Sequence, residues 1–193
     1  MVTTNDLLGS DELKSEPAGN HSVRIVMLGD SITHAGDWNE LLGREDVLNG
    51  GMPGWTSEQI SWLVKDLVVP NKPHLCFYMA GINDISLGIP EQRIINNHRM
   101  ILDFIHEAGT IPAYQTTLYQ LGNKRVNREI NQINQILKDY CSQKNYEFLD
   151  LRPWLCMDSD LLARYTYDGT HLTPDAYPEW AKAIRSVLEK LNV

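Results

Sequence analysis

Apolar positions along the chain fall into two alternating patterns. Five short β-type runs, Val23 to Leu28, Asp46 to Asn49, His74 to Ala80, Thr110 to Thr116 and Tyr146 to Leu151, are separated by longer stretches with helical spacing. Thr56 opens a capping-box pattern with Gln59, and Ile60, Leu63, Val64 and Leu67 then share one face. A second helix is expected to start near Pro90, turn Ile94, Ile101 and Ile105 inward, and stop at Gly109. Val126, Ile130, Ile133, Leu137 and Tyr140 mark a third. The last is expected to be capped by Thr173 with Pro174 behind it, and its apolar stripe is wide: Tyr177, Trp180, Ala181, Ile184, Val187, Leu188 and Leu191.

Strands that alternate with helices build a parallel sheet covered on both faces, so the fold class is α/β. Five parallel strands joined by right-handed crossovers are most economically a flavodoxin-like three-layer α/β/α sandwich with strand order 2-1-3-4-5. No repeat, low-complexity block or linker divides the chain after residue 22. Residues 23–193 therefore read as one domain, behind a polar and flexible tail, 1–22, that carries Asp6, Asp11, Glu12 and Glu16. The length of 193 residues supports a full core without staples.

Composition narrows the partners. A formal net charge of -8 disfavours nucleic acid and anionic lipid surfaces and points to a small or neutral substrate. No window approaches the ~18 consecutive apolar residues of a membrane span, and the first residues lack the basic start and apolar stretch of a secretory signal. Cys76, Cys141 and Cys156 are an odd number at no metal-ligand spacing, which fits a reduced, cytoplasmic compartment. Oligomeric state is not legible in these patterns.

In the expected topology, ligands bind beyond the carboxyl ends of the strands, where strands one and three part. After strand one come Gly29, Asp30 and Ser31; after strand two, Asn49 to Gly54; after strand three, Gly81, Ile82, Asn83 and Asp84. A late loop adds Tyr167, Asp168, Gly169, Thr170, His171 and Leu172. A Gly-Asp-Ser tripeptide alone arises by chance in roughly one chain in twenty of this length. With partners it acquires a chemistry. A serine hydroxyl needs a base to attack at neutral pH, and His171 is the candidate; the other ring nitrogen needs a carboxylate, which Asp168 can supply by folding back across Gly169. The N–H groups of Ser31 and Gly51 and the side-chain amide of Asn83 are candidate oxyanion donors, with Asp30 and Asp84 as supporting acids. Each block also has a plainer reading as a turn or cap, and His21, His34, His74, His98 and His106 read as structural or exposed. The argument for chemistry is that four weak signals fall in the loops one topology brings together.

These blocks resemble those of the SGNH hydrolases, also called the GDSL esterase and lipase family, from residue 23 onward. Gly29-Asp30-Ser31-Ile32-Thr33, Asn49-Gly50-Gly51-Met52-Pro53-Gly54, Gly81-Ile82-Asn83-Asp84 and Asp168-Gly169-Thr170-His171-Leu172 follow the family's order, with Ser31, Gly51, Asn83 and His171 as its four naming residues. The resemblance implies hydrolysis of a small-molecule ester through an acyl-serine, with no metal and no organic cofactor. No G-x-S-x-G surrounds Ser31, unlike an α/β-hydrolase elbow. Short acyl or acetyl esters are the expected substrates, with Met52, Trp55, Leu87 and Tyr119 as candidate apolar walls. The alternatives are a lysophospholipase or thioesterase acting on longer chains, and a non-catalytic anion- or sugar-binding module. A flavin-binding flavodoxin fits poorly, because acidic Asp30 stands where a phosphate loop would be.

Overall fold

The computed structural model describes residues 22–193, so the tail expected over 1–22 lies, apart from Ser22, outside the described residues. The chain begins with β1 (Ile25–Gly29), α1 (Ser31–His34), α2 (Trp38–Leu42) and β2 (Val47–Gly51). Next come α3 (Ser57–Leu63), a π-helical continuation over Val64–Val68, α4 (Val69–Asn71), β3 (Leu75–Met79), α5 (Ile82–Ser86), α6 (Glu91–Glu107) and β4 (Ile111–Gln115). The remainder is α7 (Lys124–Lys144), β5 (Glu147–Leu149), α8 (Arg152–Leu155), a hairpin of β6 (Cys156–Met157) and β7 (Asp160–Leu161), and α9 (Ala176–Leu191).

The main sheet has the expected order, β2-β1-β3-β4-β5, and every pair is parallel. From β1 to β2 the chain steps one way across the sheet, and the next three connections step the other way. Right-handed crossovers therefore place α1 and α2 on one face and α3, α6 and α7 on the other. After β5 the chain returns to the first face, where α9 packs on α2 and α8. Covered on both sides, all residues of β1 and β3 are buried, which is why these runs show no polar alternation. On the α9 face Trp38 and Trp180 meet edge to face at 4.8 Å, each with its indole N–H bonded, to the Thr33 carbonyl and to Gln115 Oε1.

The long helices follow their patterns. Gln59 Oε1 accepts from the Thr56 N–H at 2.9 Å, one half of the expected capping box, and α6 follows Pro90 and closes before Gly109, which has φ +82°. Thr173 departs from its expected role. Its hydroxyl donates to the Arg164 carbonyl at 3.0 Å, a turn joins the Ala176 N–H to its own carbonyl, and Asp175 stands at the cap of α9 instead. The short α1, α2, α5 and α8 and the hairpin have too few residues to show a period, and the sequence patterns did not reveal them.

One difference bears on the site: β2 runs through Gly51, two residues beyond the expected end. The register pairs Gly29 with Gly51 on one side and with Met79 on the other, so three strand ends lie level. The backbone of α1 rests directly on this edge. A Cβ on Gly51 would lie 2.2 Å from the His34 nitrogen and 2.5 Å from its Cα, and one on Gly29 would lie 2.6 Å from the Met79 carbonyl oxygen. Backbone cannot swing aside as a side chain can. Gly51→Ala is accordingly expected to lower unfolding free energy by about 1–3 kcal/mol, seen as a lower urea midpoint at unchanged slope; an unaltered midpoint would contradict the tight approach.

Candidate active site

Asp30 ends the first strand's run and starts α1. Its Oδ1 accepts from the Ile32 N–H at 3.0 Å, making it the N-cap, and Ser31 becomes the first helical residue, half-buried at the crevice. From 140 residues away, His171 Nε2 comes within 3.0 Å of Ser31 Oγ, while His171 Nδ1 lies 2.6 Å from Asp168 Oδ2. A carboxylate only accepts, so Nδ1 carries the proton and Nε2 turns its lone pair to the serine hydroxyl. Desolvation is the strongest influence on Asp168 and acts to raise its pKa. The hydrogen bonds from the His171 ring and from the Thr170 and His171 N–H groups outweigh it and hold the carboxyl below the usual range.

A fold-back of three residues needs Gly169, at φ +92°. The loop is braced: Thr166 Oγ1 donates to the His171 carbonyl at 2.7 Å and accepts from the Gly169 N–H at 2.9 Å. From the chain ahead of α7, the Leu121 N–H donates to the Gly169 carbonyl at 2.8 Å, and Gln120 Nε2 donates to Thr170 Oγ1 at 2.9 Å.

Asn83 sits in the first turn of α5, entered through Gly81 at φ +115°. One hydrogen of its amide goes to the Trp55 carbonyl, 2.9 Å away, which leaves the other for a ligand. The buried Asp84 ties this helix to the next loop: it accepts from the Ser57 N–H at 2.8 Å and from Ser57 Oγ at 2.6 Å, and Asn97 Nδ2 donates to the same hydroxyl. Burial raises the Asp84 pKa, against the opposing Ser57 bonds. Burial also pushes Asp30 up to about 6, opposed by the Ile32 N–H and the charge of His171 and reinforced by Asp84.

Gly51 is corrected. Its N–H donates to Asn49 Oδ1 at 3.0 Å and its carbonyl accepts from His34 Nδ1 at 3.0 Å, so as the buried last residue of β2 it has no donor left for the crevice. Gly54 stands in the open loop between β2 and α3, exposed, at φ +77°, with no hydrogen bond on its N–H among the described residues. The Pro53-Gly54 dipeptide, a turn signal two residues before the Thr56 cap, was the clue that separates the loop glycine from the strand glycines. Of the expected walls, Met52 and Tyr119 are buried in the core, Trp55 is half-buried, and Leu87 is exposed. His98 is structural as expected. It is fully buried, neither ring nitrogen has a partner among the described residues, and burial drives its pKa down to about 3.

Residues 27–178 match the model of the GDSL-like lipase/acylhydrolase family. A GDSL-like lipase from Bacteroides thetaiotaomicron superposes with a TM-score of 0.79 at 20% identity, over 92% of this chain and 93% of that one. The acetyl xylan esterase AlAXEase gives 0.73 at 18%, over 86% of this chain and 100% of that one. At these identities the likeness is one of fold. An N-acylneuraminate cytidylyltransferase of Streptococcus agalactiae is 27% identical over 158 residues, 81% of this chain; the chain spans only 37% of that protein's length. No helix among the described residues is long and apolar enough to cross a membrane.

The raised Asp30 pKa sets a sign for stability. Between its ordinary value of 3.8 and about 6 the folded protein keeps a proton that the unfolded chain has released, so stability falls as pH rises through this window. The shift corresponds to roughly 3 kcal/mol. Asp30→Asn keeps an acceptor for the Ile32 N–H and removes the titration. Urea unfolding at pH 4 and pH 7 should show a smaller loss of stability on raising the pH in the variant than in the parent; equal losses would contradict the assignment.

Proposed function

We propose that this chain, which belongs to the GDSL-like lipase/acylhydrolase family, is a serine esterase that cleaves carboxylic esters through an acyl-serine at Ser31. The observation that carries the reading is the unbroken relay from Ser31 Oγ to His171 Nε2 and from His171 Nδ1 to Asp168. As Oγ attacks the ester carbonyl, Nε2 takes its proton, and Asp168 stabilises the imidazolium while holding the ring's tautomer. Charge then develops on the carbonyl oxygen. The N–H groups of Ser31 and Gly54 and the second amide hydrogen of Asn83 are its donors. Collapse of the tetrahedral intermediate breaks the bond to the alcohol oxygen, which leaves with the proton from Nε2. Water enters in the alcohol's place, His171 takes its proton, and the acid is released with Ser31 restored.

Gly54 replaces Gly51 in this scheme because its N–H is unengaged and its loop is held against Asn83 through the Trp55 carbonyl. Acetyl and other short acyl esters are the proposed substrates. Of the four candidate apolar walls only Trp55 and Leu87 keep appreciable exposed surface, since Met52 and Tyr119 are core residues, which leaves little apolar wall for a long chain. One protein of the same fold is an acetyl xylan esterase. Cytidylyl transfer is not carried over from relatives of which the chain spans about a third.

Ser31→Ala should cut hydrolysis of p-nitrophenyl acetate by at least ~10⁴-fold with the circular dichroism spectrum unchanged, and a fluorophosphonate should add once, at Ser31, by intact mass. Turnover equal to the parent, or no adduct, would overturn the esterase in favour of a binding module. Asn83→Ala should lower kcat by about 10²- to 10³-fold with a smaller change in KM. Across a p-nitrophenyl ester series, kcat/KM should peak between acetyl and butyryl; a peak at decanoyl or longer would assign the enzyme to long chains.

A further inference from the structure

Resting on the esterase reading above, we infer that Tyr167 is the wall for the alcohol half of the ester, and that this alcohol is a rigid ring with a flat C–H face, of the pyranose kind. Tyr167 immediately precedes Asp168. It is 71% exposed, the most of any large apolar or aromatic residue among the described residues. Its hydroxyl makes no hydrogen bond among the described residues, so neither core packing nor a polar anchor accounts for its placement. Yet the ring is oriented: it lies 13° from parallel with the His171 imidazole, with centroids 5.9 Å apart. The braced turn at Gly169 holds both rings on one short loop. Leu121, partly exposed, backs this loop, with its Cβ 3.9 Å from where a Gly169 Cβ would stand.

The mechanism decides which half of the substrate meets this surface. The carbonyl oxygen is drawn to the Ser31 N–H and to donors on the loops that open α3 and α5. The alcohol oxygen must instead come within ~3 Å of His171 Nε2 to receive its proton. The wall for the alcohol is therefore to be sought beside the imidazole, and the aromatic ring stacked beside it is Tyr167. An exposed aromatic face combines a broad apolar surface with a negative quadrupole. It suits a ring whose axial C–H groups present a slightly positive, flat face, and it offers little to a two-carbon alcohol that cannot cover it. A pyranose meets both demands, since its hydroxyls stay at the rim and in water.

The test compares kcat/KM for an O-acetylated methyl pyranoside with that for ethyl acetate in the parent, Tyr167→Ala and Tyr167→Phe. In Tyr167→Ala the pyranoside-to-ethyl ratio should fall about tenfold, chiefly through KM for the pyranoside. In Tyr167→Phe, which keeps the face and loses the hydroxyl, the ratio should stay within about twofold of the parent. The unacetylated methyl pyranoside should also inhibit ethyl acetate hydrolysis competitively in the parent and about tenfold more weakly in Tyr167→Ala. An equal fall on both esters would mean that Tyr167 merely holds His171, and an unmoved ratio would mean that it touches no alcohol; either overturns the inference and leaves the esterase standing. A parent that hydrolyses neither ester and takes no fluorophosphonate overturns the esterase itself, and this inference with it.

Discussion

The crevice depends on how closely the first turn of α1 can lie on the carboxyl edge of the sheet. That turn begins one residue after β1, and it sits on the ends of β1 and β2 because Gly29 and Gly51 have no Cβ to hold it off. At Gly51 the approach is set backbone against backbone, so it is stiff. It fixes where the Ser31 hydroxyl points, and the level register of β1, β2 and β3 fixes how far Ser31 stands from the loops after the other two strands. His34 shares the same contact: its ring closes onto the Gly51 carbonyl, and Asn49 closes onto the Gly51 N–H, so both backbone polar groups of Gly51 are bonded within the fold.

Around this seam three acids have different environments and different parts to play. Asp168 is near the surface and surrounded by donors, so it remains ionised and orients His171. Asp30 is buried behind the serine as a cap and is pushed up to about 6. Asp84 is buried between α5 and the start of α3, where the two hydrogen bonds from Ser57 tie the loop carrying Gly54 and Trp55 to the helix carrying Asn83. In the proposed mechanism its contribution is positional: two of the oxyanion donors, on Gly54 and Asn83, come from separate loops, and Asp84 joins these two.

The halves of the crevice come from opposite sides of the sheet. In the proposed mechanism two of the three donors for the carbonyl oxygen, on Gly54 and Asn83, lie on loops that lead into helices of the α3 face, whereas Ser31 opens α1 and the His171 loop leads into α9 on the other face. On that reading a bound ester would set its carbonyl oxygen against the loops of Gly54 and Asn83 and its alcohol against the His171 loop. The same reading makes the loop of residues 166 to 172 the place where the alcohol accepted would be altered without disturbing the donors of Gly54 and Asn83, and Tyr167 is exposed there.

Much of this was legible in the order of residues. The uninterrupted apolar runs of Ile25 to Leu28 and Leu75 to Met79 identify strands covered on both faces, because only a buried strand dispenses with polar alternation. The 3.6-residue spacing in α6, α7 and α9 identifies helices with one buried stripe, and the alternation of the two classes leaves one economical strand order. The meeting of Ser31, His171 and Asp168 was legible as well, since the loops holding them follow from that order. Close approach was not legible. Of three glycines within five residues, the one that is spent against a helix and the one that keeps a free N–H differ only in whether β2 stops before or after Gly51, and the packing of α1 decides that point. Likewise Met52 and Tyr119 went to the core and Tyr167 to the rim, because apolar character says that a residue seeks cover and only the tertiary structure says which surfaces remain to supply it.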